Sequence, residues 1–381
     1  MRPLTSDVLV IGGGVLGQAA AYHLVREGAH VTLIDRADVG QATAAGAGIL
    51  SAGTTARHAG PPYDLSVRAF NYYPTLMERL ASDDAGETGF ARCPLLLVAR
   101  EAAERREFEE ARAAIFARQA GTGWPSVEDL HEITPDEARR LFPPLGEVHG
   151  AILHRAAGRV DGRLLAQALR RAGERRGLRV RHGSATRLLI ERRRVAGAVV
   201  DGETLAVSSV VIAGGAWSPA FAAQLGIELP VAPQRGQIIH LRLRDRPTHD
   251  WPIISGFRGH YIVAWPEGRI VVGATRETGT GFEPTLTAGG VREVLSEALR
   301  VAPGLAPAEI VEMRVGLRPL AADGVPVLGP VPSVEGVYLA TGHGPSGLQL
   351  GPFSGKVVAD AVLGRAPEVD LEPFGVSRFR A

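Results

Sequence analysis

The chain has a single cysteine, Cys93, among its 381 residues. A lone thiol excludes an intramolecular disulfide framework and a CxxC metal or redox pair, so Cys93 reads as a small buried hydrophobe and no metal site is expected. Lysine is equally scarce: Lys356 is the only one, and arginine carries nearly all the positive charge. The two signs of charge almost cancel, leaving a formal net charge of +1, which removes the electrostatic ground for a nucleic-acid or acidic partner. No low-complexity tract and no internal repeat interrupt the chain. No apolar run reaches the roughly 18 residues that a membrane helix requires. The first residues lead into a strand at Asp7 without a charged segment followed by an apolar one. These absences predict a cytoplasmic protein in a reducing compartment.

The chain exceeds the roughly 250 to 300 residues at which one hydrophobic core stops growing, which predicts two domains. Residues 7–11 form a short apolar strand, residues 18–26 carry apolar side chains at helical spacing, and residues 29–34 form a second strand ending on Asp35. This is a βαβ unit. A loop of small residues follows at 40–53, then an apolar strand at 95–98 and a polar helix at 101–119. The α/β pattern resumes with a helix at 162–175, a strand at 178–181, a hairpin at 186–200 and a strand at 209–213. Strands at 237–243, 260–265 and 269–274 suggest an antiparallel sheet. A helix at 288–301, a strand ending at residues 316–319, a strand at 337–340 and a helix at 351–362 complete the reading. The predicted class is α/β, a Rossmann-like dinucleotide-binding domain joined to a second, mostly antiparallel β-sheet domain of α+β type. The expected division gives residues 1–85, 145–228 and 310–381 to the first domain, and 86–144 and 229–309 to the second, substrate-binding one.

Gly12, Gly14 and Gly17 stand at GxGxxG spacing between the first strand and helix. Gly12 allows the tight turn, Gly14 lets backbone approach a pyrophosphate, and Gly17 permits close helix–strand packing. The helix that opens at Val15 and Leu16 points its N–H groups at the anion. Asp35 is placed to accept hydrogen bonds from ribose hydroxyls, which disfavours a 2′-phosphate and therefore NADP.

Several further motifs occur in order. They are Thr43-Ala44-Ala45-Gly46-Ala47-Gly48-Ile49-Leu50, Val211-Ile212-Ala213-Gly214-Gly215-Ala216-Trp217-Ser218, Val315-Gly316-Leu317-Arg318-Pro319 and Thr341-Gly342-His343-Gly344. With the opening glycines and Asp35, they resemble the D-amino-acid oxidase superfamily of flavoproteins, and within it the glycine oxidase and D-amino-acid dehydrogenase branch. The resemblance implies non-covalent FAD, held by Gly12, Gly14, Val15, Leu16, Gly17, Asp35, Arg36, Thr43, Ala47, Gly48, Ile49, Arg187, Gly214, Gly342, His343, Gly344, Gly347 and Leu348. Small residues at 42–48 suit backbone lying against a flavin ring. N–H groups before the last helix suit negative charge on the reduced ring.

The resemblance also implies roles for two catalytic residues. Arg318 would fork onto a substrate carboxylate, for which a guanidinium supplies paired donors, and Tyr261 would reach the same carboxylate. His260 points to the opposite face of its strand. Arg235 reads equally as a flavin neighbour or as a solvated or ion-paired side chain. Pro345 stands where glycine oxidase relatives carry an arginine, and that departure places D-amino acids, including cyclic ones such as D-proline, ahead of glycine and sarcosine. Dioxygen or a quinone would accept the electrons. A flavin-binding subunit dependent on a partner, a peripheral membrane association and a homo-oligomer all stay open on the sequence.

Overall fold

The computed structural model describes residues 7–55 and 59–379. The first six residues, where a leader was sought, lie outside it, as do 56–58 and 380–381.

The βαβ unit forms as the sequence implies. Val8–Ile11 pairs in parallel with Val31–Asp35 on one side and with Ser209–Ile212 on the other. Arg179–His182 extends this sheet at one edge; Val337–Thr341 and the antiparallel Val327–Pro330 extend it at the other, making six strands. Side chains alternate across the first strand. Val8 and Val10 enter a core shared with helices, while Leu9 and Ile11 enter a second core on the opposite face. On the helix side, Val15–Arg26 packs against Gly347–Val362 through small residues. A Cβ added at Gly355 would stand 2.7 Å from Ala19 Cβ, so this seam closes only with glycine there. Each buried leucine of these cores contributes roughly 1.5 to 3 kcal/mol.

The opposite face is covered by an antiparallel meander of three strands, Ala185–Glu191, Arg194–Val200 and Glu203–Ala206, one more than the hairpin expected. The second large sheet has eight strands, in the order Glu309–Ala321, Val231–Arg242, Arg269–Gly273, Tyr261–Ala264, Ile253–Ser255, Leu95–Ala99, Gly150–His154 and Leu130–Ile133. All its pairings are antiparallel except that of Ile253–Ser255 with Leu95–Ala99. Pro319 is tolerated because its strand is an edge of the sheet. Helix Ala288–Val301 covers one face, and Ala47 and Ile49 from the small-residue loop pack into the core on the other.

Helices Gly162–Arg175 and Ala288–Val301 have the bounds expected, each capped by a side chain: Asp161 accepts from the N–H of Arg163 at 2.9 Å, and Thr287 from that of Gly290 at 3.1 Å. The polar helix runs Arg105–Thr122, and the last helix begins at Gly347, four residues before the expected start at 351. The 22-residue helix Pro61–Ser82 is absent from the sequence reading, because Pro74 interrupts its pattern. An interior proline costs about 3 kcal/mol. Burial of Leu65, Phe70, Tyr73, Leu76 and Leu80 against the first sheet's helices offsets it. Among the described residues, no helix is long and apolar enough to cross a membrane.

Candidate active site

One continuous cleft runs between the two large sheets. Its floor begins at the glycine turn. Gly12 has φ +112°, and a Cβ there would lie 2.4 Å from the Ala213 carbonyl oxygen, while a Cβ at Gly17 would lie 1.9 Å from that of Gly12. Only glycine allows backbone to pass backbone at this distance. Gly12, Gly14, Val15 and Leu16 line the cleft; Gly17 lies beneath it as packing. The Val15 N–H donates to Thr43 Oγ1 at 3.0 Å, bringing a hydroxyl to the helix N-terminus where an anion would be held.

Asp35 closes this end. One carboxylate oxygen accepts from the backbone N–H of Gly13, and the other accepts from the N–H of Ala37 at 2.6 Å and from Gln41 Nε2 at 2.8 Å. The carboxylate therefore ties the second strand to the glycine turn. Arg36 lines the same end and is paired with Asp38. Arg187 does not join it. Its neighbour Leu188 points into the core, so on an alternating strand Arg187 points outward; it is exposed and lies off the cleft wall.

The middle of the cleft is lined by Thr43, Ala47, Gly48, Ile49 and Gly214. Gly48 has φ +81°, and a Cβ there would meet the Val160 carbonyl oxygen at 1.8 Å. Farther along, His343, Gly344, Gly347 and Leu348 reach the wall, and Gly342 turns behind them against Ala321 and Val327. His343 is buried, and its Nε2 lies 3.0 Å from Ser354 Oγ, which pins the turn to the last helix. Burial pushes this imidazole down to about 4, with a backbone hydrogen bond at Thr341 partly opposing, so it is neutral at pH 7.

Strand Glu309–Ala321 brings these parts to the second sheet. Leu317 bridges Gln41 and Leu320 bridges His343, and Arg318 between them faces the cleft. Its Nη1 donates to the Thr275 carbonyl at 2.9 Å. Room for the guanidinium comes from Gly236 on the adjacent strand, where a Cβ would lie 2.4 Å from Arg318 Nη2. Tyr261 stands beside it and lines the same cleft. Gly273 makes space for that ring: a Cβ there would lie 2.8 Å from the tyrosine oxygen. Burial raises the Tyr261 pKa and the nearby Arg318 and Arg276 partly lower it, so the phenol keeps its proton at neutral pH. His260 is turned away towards helix Ala288–Val301, 3.3 Å from Glu293.

Arg235 is resolved as an ion pair. Its Nε donates to Glu277 Oε2 at 3.1 Å, and Glu277 also accepts from Thr275 Oγ1 and Gln237 Nε2 at 2.7 Å each. Burial raises the Glu277 pKa, but these hydrogen bonds outweigh it and hold the carboxyl below its usual range. The pair braces residues 275–277, which in turn hold Arg318.

The sequence reading missed Arg276. This arginine also lines the cleft, and its Nη1 donates to the Gly259 carbonyl at 2.6 Å. No motif marks it, because its neighbours come from other strands. Among the described residues, no group of three or more His, Cys, Asp or Glu side chains is arranged to hold a metal.

Residues 7–361 match the family model described as FAD dependent oxidoreductase (DAO). The chain is 40% identical over 367 residues to the oxidoreductase YurR of Bacillus subtilis strain 168, covering 96% of this chain and 97% of that one. It is similar in structure to iminodiacetate oxidase from Chelativorans sp. BNC1, with TM-score 0.91, 39% identity and coverage of 97% and 98%. Glycine oxidase from Geobacillus kaustophilus follows, with TM-score 0.90, 29% identity and coverage of 99% and 100%. The chain belongs to the DAO family of FAD-dependent oxidoreductases.

Proposed function

We propose that this enzyme oxidises the Cα–N bond of a small amino acid, and that Arg318 and Tyr261 hold the substrate carboxylate. The observation that carries the reading is the convergence of these two side chains on the cleft that the dinucleotide residues line. Bound FAD supplies the two-electron acceptor for hydride leaving Cα. The protein's own work is positioning. Arg318 offers a charged, forked donor, and the Tyr261 phenol beside it, which keeps its proton, offers an O–H to the same carboxylate. Among the described residues, no acid–base pair stands beside them, and His343 is neutral and bound to Ser354. The substrate amine therefore enters with its lone pair free, and the imine product hydrolyses in water.

Sequence alone placed D-amino acids such as D-proline first. Similarity to a glycine oxidase and to an iminodiacetate oxidase favours glycine-type amines, N–CH2–COO−, over chiral D-amino acids. Dioxygen or a quinone serves as the final acceptor. Anaerobic mixing with glycine, sarcosine, D-proline, D-alanine and the L-enantiomers, read by loss of flavin absorbance, tests the reading; bleaching by L-amino acids alone would sink it. Arg318→Ala is expected to stay yellow and lose about 10² to 10³ in kcat/KM, as removal of one side of a buried charged contact costs roughly 2 to 5 kcal/mol. Unchanged kcat/KM would remove Arg318 from the site.

A further inference from the structure

A second guanidinium faces the cleft, and binding of one carboxylate leaves it unused. Arg276 is exposed and Arg318 half-buried, but the two are seated alike. Each lies over a glycine: a Cβ at Gly236 would stand 2.4 Å from Arg318 Nη2, and a Cβ at Gly259 would stand 2.4 Å from Arg276 Nη1. Each is anchored by a neutral backbone carbonyl, Thr275 for Arg318 and Gly259 for Arg276. Neither forms an ion pair among the described residues, and the neighbouring carboxylate, Glu277, is committed to Arg235, Thr275 and Gln237. The two like charges repel one another across the cleft, and Glu277 opposes this at Arg318 only in part. An anionic ligand spanning both would relieve it.

We infer that Arg276 is a specificity residue for a second carboxylate, so that the preferred substrate is a small amine bearing two: one held by Arg318 and Tyr261, the other by Arg276. This rests on the amine-oxidising reading above and narrows its substrate class. The second carboxylate sits either on an N-carboxymethyl group or on an acidic side chain; iminodiacetate probes the first and D-aspartate the second. Oxidation removes two electrons and the Cα hydrogen as hydride to FAD, the nitrogen loses a proton, and water splits the C=N bond. An N-carboxymethyl amine then yields glyoxylate and the parent amine.

The test uses the FAD-loaded protein. Glutarate, a non-reacting carbon analogue of iminodiacetate, should perturb the flavin spectrum at about 10- to 100-fold lower concentration than pentanoate, the gain of one charged hydrogen-bonded contact. Arg276→Gln should abolish that difference, and Arg276→Lys should restore part of it. In turnover, Arg276→Gln should lower the kcat/KM ratio of the preferred dicarboxylate to glycine by about 10- to 100-fold, mostly through KM. Glutarate binding no tighter than pentanoate, or an equal loss for both substrates, overturns the proposal while glycine turnover leaves the broader reading standing. If no amine bleaches the flavin, the broader reading fails and this one with it.

Discussion

The glycine turn after the first strand and the corner that carries Arg318, Arg276 and Tyr261 both depend on glycine, but they use it for different contacts. At the turn, backbone meets backbone: a Cβ on Gly12 would run into the Ala213 carbonyl and one on Gly17 into the Gly12 carbonyl. At the corner, side chains rest on backbone, with Arg318 over Gly236, Arg276 over Gly259 and Tyr261 over Gly273. The first arrangement is rigid, since two strands and a helix fix it. The second is a set of flexible side chains that can shift if their seat is filled. One type of residue therefore has opposite consequences at the two ends, global at one and local at the other.

The largest effect belongs to the turn. Gly12→Ala places a Cβ 2.4 Å from a carbonyl that cannot move, at φ +112°. The expected cost is about 3 kcal/mol or more, with FAD lost on purification. Flavin absorbance relative to protein absorbance, together with a thermal melt, measures both. A yellow protein with unchanged Tm would show that the turn tolerates what its geometry forbids, and the contrast between the two ends would collapse.

Gly236→Val fills the seat of the Arg318 guanidinium. Flavin content should stay near that of the parent protein, while KM for the amino acid rises about tenfold or more, since a displacement of about 1 Å can cost up to roughly 10²-fold. Steady-state kinetics on protein with full flavin content reads this directly. If flavin is lost instead, the corner is as much a part of the cofactor scaffold as the turn is.

The same contrast explains what was legible in the sequence. The turn is local: glycines, helix and Asp35 fall within about thirty residues, so spacing alone exposes it. Helices Gly162–Arg175 and Ala288–Val301 were legible because Asp161 and Thr287 cap them beside amphipathic patterns. The corner is non-local. Its register pairs Gln234 with Arg318 and Tyr261 with Gly273, and the partner that decides Arg235 lies at Glu277. Arg276 was invisible for that reason, while Arg318 and Tyr261 surfaced only through family resemblance. Pro74 hid the helix Pro61–Ser82, because a local breaker was overridden by burial that only the folded chain reveals. Arg187, which the family resemblance implied, lies off the cleft wall because strand alternation turns it outward.

The smallest effect probes the segment that links the two ends. His343 bridges strand Glu309–Ala321 through Leu320 and the last helix through Ser354, so its neutral form joins corner to scaffold. Its folded pKa of about 4 lies below the ordinary 6.5. Between those values the unfolded chain binds the proton and the folded one does not, so this group's contribution is complete above pH 6.5 and falls as pH drops towards 4. The loss approaches roughly 3 kcal/mol at most. His343→Gln keeps a polar partner for Ser354 but cannot titrate, so it should lower stability by about 1 kcal/mol at neutral pH. The gap to the parent should then narrow through that acid window. Urea midpoints taken at pH 7 and at the acid end measure it; a gap of constant size would mean that His343 titrates alike in the folded and unfolded chains, and a gap that widens towards acid pH would mean that the fold holds it protonated; either result removes the neutral link between the two ends.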